Sequence, residues 1–165
     1  MNAIRTHRIT NGPERDILEN MLDHNRQALI DTAQGLSEPN ARRRLVPSLT
    51  TPITLLKHAA AAERIWFQRF WADLTPADCD GYSDRDEQTF TVGPEESLPD
   101  VIAEFERAGR RSREIAARFT LDDTKHNPRE GTVSMRWTLL AMIEEFARHA
   151  GHGDILREQI DQDPT

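Results

Sequence analysis

Four long segments whose apolar residues recur at spacings of three and four limit the fold of this sequence more than any other feature. Such spacing puts apolar side chains on one face of an α-helix, and that face must be buried against another element. The segments predict helices over residues 13–36, 52–73, 95–119 and 134–161, with long connections after the first and second helices. We therefore expect an all-α fold, a four-helix bundle, in a single domain covering residues 1–165.

Two of these helices have recognisable starts. Thr50 or Thr51 precedes Pro52, which is a hydroxyl N-cap followed by proline in the first turn, and Ser134 is placed to cap the last helix. Residues 75–93, in contrast, show no periodicity. A connection of this length is uncommon inside a compact domain unless it covers a site, so this segment is a candidate cover.

Charge and composition exclude several classes of partner. The chain carries 21 basic and 28 acidic residues, a formal net charge of −7, which disfavours nucleic acids and anionic membrane surfaces. No apolar run approaches the roughly 18–20 residues of a transmembrane helix. The first residues contain no apolar segment typical of a secretion signal, and Cys79 is the only cysteine, so we predict a cytoplasmic protein without an intrachain disulfide.

The last predicted helix carries three residues of metal-ligand type on one narrow stripe. Glu145, His149 and His152 fall within about 60° of one another on a helix that turns about 100° per residue. Spacings of three and four bring side chains of one helix to a common point, as in the metal sites of several helical proteins. The alternative is a pair of surface histidines near a helix end.

One histidine of the second predicted helix lies on an apolar strip. His58 falls within roughly 60° of Leu55, Ala62 and Ile65 around that helix. A buried imidazole needs partners for both ring nitrogens, and a metal ion with a hydrogen-bond acceptor behind the ring is one solution. A histidine that is hydrogen-bonded within the core is the other, and helical geometry alone leaves both open.

Two segments of the sequence resemble a known family. Residues 134–140 and 144–158 are similar to the closing signature of the DinB-like superfamily, in particular its branch of mini-circle proteins. The run Leu56-Lys57-His58, with Glu63-Arg64 and Trp66-Phe67, resembles the second-helix motif of that branch, and Ser48-Leu49-Thr50 before it also fits. The resemblance spans roughly residues 12–160, which is nearly the whole chain.

This resemblance implies a DinB-like four-helix bundle with a divalent metal, zinc or nickel, bound by one residue of the second helix and two of the fourth. On that basis His58, His149 and His152 are the predicted metal ligands. Glu145 matches a position where a glutamate can replace a histidine ligand, and many relatives space their last two ligands by four residues. The sequence departs from the branch at Ala141, where histidine is frequent, and at Ile65, where an aromatic residue or histidine is common.

The resemblance also implies an activity. Characterised relatives use low-molecular-weight thiols such as mycothiol, so the leading hypothesis is a metal-dependent thiol S-transferase that acts on a small electrophile. A metal ion with open coordination positions lowers the pKa of a bound thiol. In this hypothesis Glu145 is a further ligand or the catalytic base. Arg136 binds an anionic group near the pocket as a cofactor-binding residue, and the alternative is a surface or capping arginine.

Two other functions use the same residues. A hydrolase would need a metal-bound water with Glu145 as its base. A metal-binding protein without turnover is the third hypothesis, and the aromatic cluster Trp66, Phe67, Phe70 and Trp71 could then form the face of a homodimer. The same cluster is equally explained by packing in the core.

Overall fold

The computed structural model describes residues 7–163, and helices dominate it. The sequence periodicity predicts this mainly helical architecture. The elements in chain order are α1 (Glu14–Ala33), α2 (Glu38–Ala41), α3 (Pro52–Glu63), a π-helical segment (Arg64–Trp71), 3₁₀ turns (Pro76–Asp78 and Glu87–Phe90), α4 (Leu98–Ala116), β1 (Thr124–Asn127), β2 (Gly131–Ser134) and α5 (Met135–Gln162).

Capping residues set the helix ends. Thr51 accepts a hydrogen bond from the backbone N–H of Thr54 at the start of α3, and Ser134 accepts one from Trp137 at the start of α5. Helix α4 begins later than the predicted residue 95, because Ser97 forms a reciprocal capping box with Asp100. Helix α1 ends before the predicted residue 36, where Gly35 adopts a φ of +81°.

The second long helix is not α-helical over its whole predicted span of 52–73. After Glu63 it widens into the π-helical segment, and the backbone N–H of Ala72 donates to the carbonyl of Phe67, five residues back. Widening changes the angular spacing of side chains, so positions beyond Glu63 no longer follow the 100° rule. As a result Phe67 and Trp71 are buried in the core, whereas Trp66 and Phe70 are only partly buried.

The long helices pack around one apolar core. Helix α1 packs mainly on α5, and α3 packs on α4 while also contacting α1 and α5. Gly153 allows the close approach of α1 and α5, since a Cβ atom there would lie 2.5 Å from Oγ1 of Thr32. The core is built from fully buried side chains, including Leu29, Leu55, Leu56, Phe67, Trp71, Phe105, Met135 and Phe146.

The polar connection after α4 contains a β-hairpin that the sequence analysis does not predict. Strands β1 and β2 pair antiparallel with Thr124 opposite Ser134, and Gly131 adopts a φ of +77°. Lys125 ties the hairpin to the end of the second helix through Asp73, at 2.7 Å. Among the helices of the described residues, none has the length and apolarity that crossing a membrane requires.

The long connection before α4 is anchored on a buried arginine. The Nε atom of Arg64 donates to Asp80 at 2.5 Å, and its guanidinium lies against Gly81, where a Cβ atom would be 2.4 Å from Cζ. Only glycine permits this approach without moving the arginine. The anchor holds the chain so that its next turn, Glu87–Phe90, packs against α3.

Candidate metal centre

Three side chains from two helices converge at one point. His58 of α3 and Glu145 and His149 of α5 each offer a ligand atom, and these atoms all lie within 4.8 Å of one another. The Nε2 atoms of His58 and His149 are each 3.0 Å from Oε1 of Glu145. The spacing of four residues between Glu145 and His149 places both on one face of α5.

The long connection holds the ring of His58 from the other side. The Nδ1 atom of His58 is 3.0 Å from Oγ1 of Thr89, and the ring stacks on Phe90 with centroids 4.2 Å apart. The hydroxyl of Thr89 donates its proton to the carbonyl of Asp86 at 2.9 Å. The hydroxyl therefore accepts from His58, and we infer that Nδ1 carries the ring proton of neutral His58.

This tautomer leaves Nε2 of neutral His58 as a hydrogen-bond acceptor. It faces a carboxylate oxygen of Glu145, which is also an acceptor. Two acceptors at 3.0 Å are stable only with a proton or a cation between them. Two imidazoles and a carboxylate are ligands that zinc and related divalent metals prefer, so the side chains present fit such an ion.

The electrostatics of the centre favour a charged carboxylate. Contacts with His149 and then His58 hold the pKa of Glu145 far below its usual range, although partial burial opposes this. Glu145 therefore keeps its negative charge at neutral pH, as a metal ligand must. The three side chains are 14% to 34% exposed, so the centre is sheltered but open to solvent on one side.

The structure places the predicted ligand His152 beside this centre. Its Nδ1 atom is 3.3 Å from Nδ1 of His149, whereas the Nε2 atom of His149 faces Glu145. His152 is exposed, and burial together with the positive charges of His149 and Arg148 lowers its pKa. In this conformation His152 contacts the ring of His149 on the side that faces away from Glu145.

The predicted anion-binding residue Arg136 is engaged elsewhere. Its Nε atom is 2.7 Å from Glu14, and its Nη1 atom is 2.5 Å from Asp122. These ion pairs raise the pKa of Arg136 above its ordinary value. The guanidinium thus links α1, the start of α5 and the loop before the hairpin.

A cavity of about 300 Å³ adjoins the centre and includes His58 and Glu145 in its lining. Ile65 and Ala141, the two positions where the sequence departs from the resembling branch, also line it. Small or aliphatic residues at these positions keep the cavity open. Its remaining lining residues are Ala62, Trp66, Arg85, Trp137, Met142, Glu144 and Arg148.

Sequence reasoning did not find several of these contributors. Thr89, Phe90 and Arg85 belong to the aperiodic connection, for which the only signal was its unusual length. Trp137, near the start of α5, was not singled out either, and it is 38% exposed beside the cavity. Glu145 was singled out from its spacing with His149, as a further ligand or the base, and the structure brings it together with His58 and His149.

A family model of known proteins matches most of the chain. The family model described as MST, mycothiol S-transferase, matches residues 17–162. That range includes all three converging side chains and the connection that holds His58. No curated protein matches the chain significantly.

Proposed function

The chain belongs to the mycothiol S-transferase family, and on this premise we propose that it transfers a low-molecular-weight thiol such as mycothiol to a small electrophile at a divalent metal. The observation that carries the proposal is the convergence of His58, Glu145 and His149, in which Nε2 of neutral His58 and a carboxylate oxygen of Glu145 need a proton or a cation between them. The cavity beside them supplies space for a substrate.

The proposed ligands are Nε2 of His58, the carboxylate of Glu145 and Nε2 of His149. This set differs from the sequence prediction, because Glu145 takes the place predicted for His152. Support for this set comes from the distances, since the ligand atoms of His58, Glu145 and His149 all lie within 4.8 Å of one another. Zinc or nickel is the proposed ion, since imidazole nitrogens suit both.

The chain's own residues prepare the site for a thiol. A divalent ion bound by three protein ligands keeps open positions and would lower the pKa of a thiol that reaches it. Thr89 orients the ring of His58 and keeps its proton on Nδ1, so that Nε2 faces the ion. Phe90 covers one face of that ring and limits its contact with water.

We also propose that α1, α3 with its π-helical extension, α4 and α5 form a DinB-like four-helix bundle in one domain over residues 1–165. The mutual packing of α1 with α5 and of α3 with α4 supports this arrangement. The bundle places one ligand on the second long helix and two on the fourth.

Metal analysis combined with thiol-dependent turnover tests the proposal. Untagged protein should contain near-stoichiometric zinc or nickel and should conjugate mycothiol to 1-chloro-2,4-dinitrobenzene, with product identified by mass spectrometry. His58→Ala and Glu145→Gln should lose both metal and conjugation. His126→Ala is the matched control, because His126 is exposed in the hairpin, and it should retain both.

His152→Ala separates the two ligand sets. If Glu145 is the third ligand, the His152→Ala variant keeps its metal. If His152 is the third ligand, the variant loses its metal. If the protein contains metal but shows no thiol-dependent turnover, it is a metal-binding protein. If it hydrolyses a substrate without a thiol, it is a hydrolase. Wild-type protein that neither contains nor takes up a divalent metal would overturn the proposal.

A further inference from the structure

Two arginines without ion pairs line the cavity beside the metal centre. Arg85 comes from the long connection, and Arg148 comes from α5, directly before the ligand His149. Within residues 7–163, neither guanidinium has a carboxylate oxygen within 4.0 Å. Many arginines of this chain do have one, including Arg15, Arg26, Arg43, Arg64, Arg69, Arg113, Arg136 and Arg157.

The carboxylates next to Arg85 in sequence are engaged elsewhere. Asp84 pairs with Arg69 at 2.9 Å, and Asp86 accepts from the Tyr82 hydroxyl and from the backbone N–H of Gln88. Partial burial, and then the like charge of Arg129, lower the pKa of Arg85. A negatively charged ligand would relieve this repulsion.

Arg148 also lacks the partner that helix geometry offers. Glu144 precedes it by four residues, a spacing that commonly pairs a glutamate with an arginine, and Glu144 lines the same cavity. The two side chains nevertheless form no ion pair. Glu145, the other acidic residue nearby, is occupied by the two histidines of the centre.

Tryptophan rings cover the same cavity. The rings of Trp66 and Trp137 lie 5.4 Å apart with an interplanar angle of 59°, and Cζ of Arg85 is 4.8 Å from the centroid of Trp66. Tilted rings in contact present a broad apolar surface, and planar ligands pack well on such surfaces. Guanidinium groups beside them offer paired donors that match a carboxylate.

We propose that Arg85 and Arg148 bind the carboxylate of a planar, anionic electrophile whose ring packs on Trp66 and Trp137, and that these arginines decide which electrophiles are accepted. This inference rests on the proposed thiol transfer at the adjacent centre. Because Glu144 and Glu145 line the same cavity, the carboxylate would be recognised by direct contact with the two guanidinium groups and not by a general positive field.

The reaction can be followed with 4-chloro-3,5-dinitrobenzoate and its methyl ester. The thiol sulfur forms a bond to the ring carbon that bears chlorine, the C–Cl bond breaks, and chloride leaves with the electron pair. The thiol proton passes to solvent. Both compounds have the same leaving group, but the ester activates the ring more strongly than the carboxylate does. Dividing each kcat/KM by the rate constant of the uncatalysed reaction with the same thiol therefore isolates the effect of the carboxylate.

For zinc-loaded wild-type protein with mycothiol, kcat/KM divided by the uncatalysed rate constant should be at least about 10-fold higher for the acid than for the ester, the scale of one charge-assisted hydrogen bond. Arg85→Gln and Arg148→Gln should each reduce the ratio of these two values by about 10-fold. Arg107→Gln is the control, since Arg107 is exposed on α4, and it should leave the ratio unchanged. An unchanged ratio in both cavity variants would overturn the inference.

Binding without turnover separates this inference from the proposed function. Calorimetric titration with 3,5-dinitrobenzoate, which has no leaving group, should show binding by the wild type that weakens about 10-fold in each cavity variant. If no thiol conjugate forms with any electrophile but this binding persists, the transferase proposal fails and the anion site stands. Binding that is lost on metal removal but unaffected by both substitutions would mean that the carboxylate binds the ion, and would refute the arginine site.

Discussion

Two clusters of charged and polar side chains connect the second long helix to the connection that follows it. They differ in whether their charged groups have partners within the protein. In the first, which we call the Arg64 cluster, Arg64 contacts Asp80 at 2.5 Å and Glu104 at 2.8 Å, while Lys57 contacts Glu104 at 2.7 Å and also pairs with Glu96. Each cation faces an anion. The metal centre instead brings two acceptor atoms together, Nε2 of neutral His58 and a carboxylate oxygen of Glu145, which need a proton or a cation between them.

This difference separates a structural site from a functional one. Arg64 is fully buried, and its partners neutralise it within the protein. At the centre, Nε2 of neutral His58 and a carboxylate oxygen of Glu145 face each other as two acceptors, so this pair is completed by a proton or a cation taken from outside. The Arg64 cluster should therefore govern stability with or without metal, whereas the centre should govern stability only when metal is present.

The largest effect should come from removing the buried cation. Arg64→Met leaves Asp80 without its cation and Glu104 with Lys57 alone, and breaking a buried ion pair in this way costs about 3–5 kcal/mol. Guanidinium unfolding of metal-free protein should show a loss of unfolding free energy of this size.

The exposed residue Arg107 provides the control for this prediction. Arg107→Met should change the unfolding free energy by no more than about 0.5 kcal/mol. A loss below about 1 kcal/mol in Arg64→Met would show that the Arg64 cluster does not determine the stability of this region.

A smaller effect should follow from removing the acceptor behind His58. Thr89→Val keeps the side-chain shape but leaves the Nδ1 proton of His58 without its partner, so the ring is no longer held with Nε2 towards the ion. Substitutions of this kind weaken metal affinity about 10- to 100-fold. Calorimetric titration with zinc should show this weakening.

Thr91→Val in the same connection is the matched variant for this test. Thr91 is exposed, and its substitution should leave zinc affinity unchanged. Equal zinc affinity in wild type and Thr89→Val would mean that Thr89 does not position the ligand.

The smallest effect should be a pH dependence of the Arg64 cluster. Burial raises the pKa of Asp80, but its hydrogen bond and ion pair with Arg64 outweigh burial and lower it. A lowered pKa stabilises the fold above the unfolded value of about 3.9, and this contribution is lost as the pH falls below that value. The difference in unfolding free energy between wild type and Asp80→Asn should therefore shrink between about pH 5 and pH 3, which is about one unit on either side of the unfolded pKa.

The Arg64→Met background tests the cause of this pH dependence. There the same Asp80→Asn substitution should not show this loss as the pH falls, because the cation that chiefly lowers the pKa is gone and burial, which raises the pKa, remains. A difference that stays constant with pH in the wild-type background would contradict the assignment of Arg64 as that cation.

The mainly helical architecture could be predicted because it depends on local spacing. Caps at Thr51 and Ser134 follow the same local rules. The π-helical segment and the hairpin could not be predicted in this way. The π-helical segment widens a helix whose apolar residues keep the spacing of an α-helix. The hairpin lies in a stretch without the alternation typical of strands.

The candidate site was predictable only in part, for a related reason. His58, Glu145 and His149 could be singled out because each lies on a helix whose face the sequence defines. The choice between Glu145 and His152 as the third converging residue depends on the ring orientation of His149, which spacing alone does not decide. Thr89 and Arg85 lie in a connection whose path depends on Arg64 and Gly81 rather than on any local pattern.

The sequence by itself determined the helices, their caps and the residue types available for a metal site, because these depend on neighbours within a few positions along the chain. Only the tertiary structure decided which of these side chains meet. It brought α3 against α5, placed the acceptor of Thr89 behind His58, and left Arg85 and Arg148 unpaired beside the same cavity. These contacts join residues far apart in sequence, so they are set by packing of the core and by the buried anchor at Arg64.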